Sequence, residues 1–434
     1  MTHDVKACAT APAPQLLYVG EFPPSNHHGG AILLKRLLDR HPVNCLTVIA
    51  SKPGMMASSG LDILRCRHIV FPVLRVSASR WARRLNSIPN LLILALVALR
   101  AMLLMRRRRA AAVISIIQGR YYLPAAFAGW ITGTPHIAVV HDNFISGILA
   151  ASRFSTLLRY LTRRVLRSAA HIYAVSPEMQ RLVFDECGMR SEIQLPSTTV
   201  PTSQPSCDTP LDGRDGPVLL FAGTVGYTVK DCLDLLVELI VSGKLNEYGL
   251  PKANLHLCTP LTEAEILTFG WNRPGIANQG WVSQSELPTA LASADILFLP
   301  YSFLPIAREA VETAFPSKIA DYLASGKPII VFGPRYSSLV RYAREQSFAE
   351  IVDEFSPSAL ARAIRKMTFS RADRQRLAAT GRHVLCTNHD IERQRHHFYL
   401  AIEQVHRANS EAKNQPKPGA APSAANTTND AGTR

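Results

Sequence analysis

The chain has 434 residues, 47% apolar and 19% charged, which is ordinary for a soluble globular protein and long enough for two domains with separate cores. Its whole net charge of +15 lies in residues 1–200, which hold 24 Lys/Arg against 9 Asp/Glu, while residues 201–434 hold 24 against 24. An anionic membrane surface or an acidic acceptor suits such a half, and nucleic acid ranks last because no basic, aromatic-interleaved motif of the known binding modules occurs.

The eight cysteines form no Cys-x-x-Cys pair and no zinc-like spacing, so they read as small core residues in a reducing compartment. The first residues, Met1-Thr-His-Asp-Val-Lys-Ala7, lack the apolar run of a signal peptide. A cytosolic location is expected, with the inner face of the cell membrane open as a peripheral site.

Residues 15–19 are a short apolar run that breaks into Gly20-Glu-Phe-Pro-Pro-Ser-Asn-His-His-Gly-Gly30, after which Ile32, Leu33, Leu37 and Leu38 resume at helical spacing. This is strand, glycine-bearing loop and helix. Gly29 and Gly30 let the backbone approach a phosphate at the helix N-terminus, the plain alternative being an ordinary βα turn. The Gly-x-Gly-x-x-Gly fingerprint is absent, so a nicotinamide or flavin enzyme is weakly supported.

Residues 45–49 and 69–73 read as the next strands. The apolar run within residues 89–105 is interrupted by Arg100 and is followed by Arg106-Arg-Arg-Arg109, and it is short of the ~20 residues that span a bilayer. A core helix, a membrane-docking helix and a true span all remain open, in that order. The strand at 112–117 follows it. The strand at 136–140 ends at His141-Asp142, where ligands of open α/β sheets sit; a His bonded to a loop carbonyl is the bland reading. Residues 153–167 carry five arginines among apolar residues. After the strand at 171–176, Ser176 caps a helix with Pro177 at its first position, and Gly188 ends it.

Prolines and glycines crowd residues 196–217, a linker by composition. A second strand, glycine loop and helix follow, with residues 218–222, Gly223-Thr-Val-Gly-Tyr-Thr-Val-Lys230 and the apolar positions Leu235, Leu236, Leu239 and Ile240. Residues 255–258, 278–282 and 295–300 read as strands, and Ser283-Gln-Ser-Glu286 as a capping box. Pro316 and Gly326 then bracket a helix over 316–325, with a β-branched strand at 329–332. Ser317 and Lys318 fall in its first turn, and Asp321 lies at i+3 from Lys318, so a cation and a carboxylate could hold a phosphate and a ribose diol together. A surface Lys–Asp pair has the same spacing.

Phe315-Pro-Ser-Lys-x-x-Asp-Tyr-Leu-Ala-Ser-Gly-Lys-Pro328 resembles the nucleotide-sugar-binding helix of GT-B glycosyltransferases, especially glycosyltransferase family 4. The resemblance covers about residues 15–406 and is most specific over 218–332. It implies an α/β fold of the GT-B type, two doubly wound Rossmann-like domains facing a cleft. It implies a hexosyltransferase-type enzyme that moves a sugar from a nucleotide diphosphate sugar to a glycan or lipid-linked acceptor, with retention and with no metal or other cofactor. Asp321 matches the second Glu of the family's Glu-x7-Glu motif, which takes the ribose hydroxyls. The first Glu falls on Thr313, a departure for which Glu309 and Glu312 stand near enough to substitute. Gly29 and Gly30 match the loop facing the donor diphosphate, His141 the His facing the sugar, and Lys230 the diphosphate lysine; Thr224 stands where an arginine is common. A nucleotide-sugar 2-epimerase shares the fold, and Thr313 and Thr224 leave room for a non-catalytic subunit. The expected organisation is a disordered 1–14, an acceptor-side domain over 15–200, a linker over 201–217, a donor domain over 218–390, a helix over 391–408 returning to the first domain, and a disordered tail from 409 to 434.

Overall fold

The computed structural model describes residues 13–26, 29–57, 62–72, 87–144, 155–203, 216–250 and 252–414. The expectations for residues 1–12, for 204–215 of the linker, and for 415–434 of the tail lie outside the described residues.

The first sheet has seven parallel strands in the order β3-β2-β1-β4-β5-β6-β7. They are β1 Leu16–Val19, β2 Leu46–Ser51, β3 Arg67–Phe71, β4 Ala112–Ile116, β5 His136–Val140, β6 His171–Ala174 and β7 Glu192–Ile193. Strand order reverses beside β1, so helices cover both faces and the central strands are apolar on both sides. Alternation divides each strand between two cores. Leu16 and Tyr18 join Leu34, Leu37 and Phe398 on one face. Leu17 and Val19 join Val97, Ala101 and Tyr121 on the other. Each such buried Leu or Val contributes about 1.5–3 kcal/mol.

The second sheet is parallel throughout, in the order β10-β9-β8-β11-β12-β13. Its strands are β8 Val218–Ala222, β9 Asn254–Cys258, β10 Ile276–Asn278, β11 Ile296–Pro300, β12 Ile329–Phe332 and β13 Glu350–Val352. β10 lies earlier than the expected 278–282, because Gly280 takes φ 72° and turns the chain out of the sheet. Ser283 and Glu286 exchange the expected capping bonds, but they close a turn, and the helix begins at Leu287.

The last helix, Ile391–Asn414, runs beyond 408 into the segment expected to be disordered. Asn409 Nδ2 donates to the Gly133 carbonyl at 2.9 Å, which ties that extra length to the first sheet's helices. Arg395 donates to the Arg36 and Leu37 carbonyls and satisfies the open end of the helix Gly29–Leu38. The chain returns to this side at residues 389–391, where the Thr198 amide donates to the His389 carbonyl and the Ile391 amide to the Thr198 carbonyl. His389 is fully buried there, with Nδ1 on the Pro196 carbonyl and Nε2 on the Tyr342 hydroxyl.

Candidate active site

Both sheets present the carboxyl ends of their strands to one cleft, and among the described residues four side-chain contacts bridge it. Ser176 caps its own helix through the Met179 amide and donates to the Thr313 carbonyl at 2.8 Å. Arg341 pairs with Glu178 at 3.2 Å, and Asn143 Nδ2 reaches the Glu309 carbonyl at 3.4 Å. The fourth joins Arg36 of the helix Gly29–Leu38 to Asp321, at 2.9 and 3.0 Å to the two carboxylate oxygens.

On the first wall, His141 follows β5 and is buried, with Nδ1 3.3 Å from the Asp142 carboxylate and Nε2 without a hydrogen-bond partner among the described residues. Gly29 and Gly30 come against its ring, and a methyl group on Gly29 would lie 2.3 Å from His141 Cε1. The space that the glycines leave open is therefore filled by imidazole. The expected glycine loop and the expected histidine form one unit.

Glu21 is a residue that the sequence reading passed over. The Arg120 amide donates to its carboxylate at 2.7 Å, and Gly119, at φ 67°, leaves the room it occupies. Burial raises the Glu21 pKa above the usual carboxylate range.

On the second wall, the helix before β12 is Ile319–Ser325, shorter than the expected 316–325. Pro316 to Lys318 instead form a turn closed by the Ile319 amide on the Pro316 carbonyl, so Ser317 and Lys318 precede the helix. Gly326 ends it at φ 68°, as expected. Asp321 is buried and also accepts from Gln284 Nε2 at 3.3 Å. Lys318 is half-buried and has no ion pair among the described residues; its ammonium lies 6.0 Å from the Trp281 ring. Burial lowers its pKa, against the opposing pull of Asp321 and with a further push from Arg36. Two side-chain cations, Arg36 and Lys318, thus lie near the buried Asp321 carboxylate.

The Lys230 and Thr313 side chains are both bonded within their own helices. Lys230 is turned onto its own helix, with Asp234 at 2.7 Å and the Phe269 and Trp271 rings beneath its ammonium. Thr313 is buried and returns its hydroxyl to the Glu309 carbonyl, as Ser and Thr do within helices. Of the substitutes, Glu312 faces Arg341 at 4.0 Å, while Glu309 is exposed and its main-chain carbonyl accepts from Asn143.

Residues 32–194 match the family model described as glycosyl transferase 4-like domain, and residues 216–368 match that of glycosyl transferases group 1. The chain belongs to the family 4-like, group 1 glycosyltransferases. Solved GT-B structures overlay almost the whole of this glycosyltransferase. The Anabaena protein HepE, in complex with UDP and glucose, is 12% identical with a TM-score of 0.63, over 90% of this chain and 99% of that one. Sucrose-phosphate synthase from Thermosynechococcus elongatus is 14% identical with a TM-score of 0.63, over 92% and 100%. The trehalose 6-phosphate synthase of Burkholderia multivorans is 12% identical with a TM-score of 0.62, over 94% and 100%. At such identities the likeness shows the fold. No curated protein matches the chain. Among the described residues of this glycosyltransferase no group of three His, Cys, Asp or Glu could hold a metal ion.

Proposed function

We propose that this glycosyltransferase takes its sugar from a nucleotide diphosphate sugar and passes it, with retention, to a glycan or lipid-linked acceptor. The observation that carries the donor reading is Lys318, a half-buried ammonium without an ion pair among the described residues, in a cleft that already holds Arg36. A buried positive site of this kind is relieved by an anion. A diphosphate supplies one, and HepE binds UDP-glucose in a structure of the same fold.

In this reading Ser317 and Lys318 hold the diphosphate, Asp321 the ribose, and the Gly29–Gly30 segment faces the donor. Lys318 then neutralises charge as it develops on the leaving phosphate, the principal catalytic contribution expected of the site. His141, through its unpartnered Nε2, contacts the transferred sugar. Glu309 replaces the carboxylate missing at Thr313. Lys230 joins the diphosphate only by leaving Asp234. Glu21, with its raised pKa, suits proton exchange with an acceptor hydroxyl on the first wall.

A panel of nucleotide sugars, scored for hydrolysis and for transfer to glycan and lipid-linked acceptors, tests the proposal. Release of nucleoside diphosphate with one donor is expected. Isomerised donor without transfer would mark an epimerase, and silence across the panel with no nucleotide binding would overturn the donor reading.

A further inference from the structure

The helix Ser87–Arg108 packs Val97, Ala101, Leu104 and Met105 into the first domain's core. On its other side Leu92, Leu96, Leu99 and Leu103 follow one another at spacings of four and three residues, and all are exposed, Leu92 at 61% and Leu96 at 54%. A helix that only filled the core would not carry this second apolar stripe. Its segment Pro89–Arg108 is long and apolar enough to cross a membrane, yet its inner face is committed to the sheet.

The stripe continues on the neighbouring helices of the same layer. Tyr122–Thr132, packed alongside, exposes Phe127, Ile131 and Trp130, the last at 73%. Ser155–Ser168, next in the layer, exposes Leu157 and Tyr160. Around these lie the exposed Arg106, Arg107, Arg109 and Arg164, and none of the three helices contains an Asp or Glu. Glu186, on the helix Pro177–Cys187, is taken up by Arg159 and Arg163.

We propose that the outer face of this three-helix layer docks in the interfacial plane of an anionic lipid bilayer. Leu and Phe side chains enter the acyl boundary, the Trp130 and Tyr160 rings sit at headgroup depth, and the arginines meet lipid phosphates. A bilayer fits better than a second copy of the chain, because an isologous dimer through this face would set arginines against the same arginines with no acid between them.

Co-sedimentation with phosphatidylcholine vesicles, with and without phosphatidylglycerol, tests it. The full chain is expected to pellet with the anionic vesicles at low salt and to be released as salt rises. Leu96→Glu with Trp130→Glu should lower partitioning at least about tenfold, and each of Arg106→Gln and Arg107→Gln about fivefold, while nucleotide titration and melting temperature stay at the parent's values. Brominated lipids should quench the parent more than Trp130→Phe, a variant too mild to unfold the helix. The proposal is overturned if the double variant pellets like the parent, if neutral vesicles bind equally well, if quenching is the same with and without Trp130, or if the face proves to be a dimer contact broken by the double variant.

Discussion

Arg36 and Asp321, 285 residues apart in sequence, form a two-point ion pair across the cleft, with both side chains almost entirely excluded from solvent. Arg36 gives its other terminal nitrogen to the Ser197 carbonyl at 2.7 Å, so one guanidinium ties the helix Gly29–Leu38 to residue 197 and to the helix Ile319–Ser325. Removing either partner leaves the other charge buried. A double-mutant cycle of Arg36→Ala and Asp321→Ala, read by chemical denaturation, should give a coupling of about 1.5–3 kcal/mol. A coupling near zero would mean that the pair holds nothing together.

The two walls should separate in binding and turnover. Lys318→Ala and Asp321→Ala are each expected to weaken nucleoside diphosphate binding by about 1.5–3 kcal/mol, the worth of a charge-assisted hydrogen bond. His141→Ala should leave that affinity nearly unchanged and lower kcat, the pattern of an interaction made chiefly in the transition state. Calorimetry beside turnover decides it: equal loss of binding in all three variants would contradict the assignment of donor and acceptor to opposite walls.

Donor affinity should also depend on pH through Lys318. Burial holds its pKa below the ordinary lysine value of 10.5, and only the protonated form attracts a diphosphate. Affinity is therefore expected to fall as pH rises, earlier than an exposed lysine would dictate. Lys318→Arg, which stays charged, should flatten that profile in titrations across the alkaline range.

Acid should loosen the fold through two buried histidines. His136, bonded to Ser115, and His389, between Pro196 and Tyr342, both have pKa values lowered by burial from 6.5 to about 4. Because the unfolded chain takes up these protons first, their contribution is whole above pH 6.5 and is lost as pH falls towards 4, by a few kcal/mol in total. The melting temperature should drop between pH 7 and pH 5, with a shallower slope in His136→Asn and His389→Gln. Equal slopes in parent and variants would assign the acid sensitivity elsewhere.

Features that depend on neighbours within one helical turn or one strand were legible in the residues alone. Apolar periodicity marked β5 at His136–Val140 and β8 at Val218–Ala222, and Ser176, Gly188 and Gly326 cap or end their helices as their chemistry requires. The Phe-Pro-Ser-Lys stretch carried the family. Pro316 read as a helix start, but a turn that only the Ile319 amide reveals delays the helix. Position across the cleft was decided by tertiary structure alone. No local spacing indicates that Arg36 will meet Asp321, that the His141 ring will fill the room beside Gly29, or that Asp234 and two aromatic rings will draw Lys230 onto its own helix. The long apolar helix makes the same point, since its composition allowed core, surface or span. Which side of it met the sheet depended on how β1, β4 and the neighbouring helices packed, and that left a second apolar stripe facing outward.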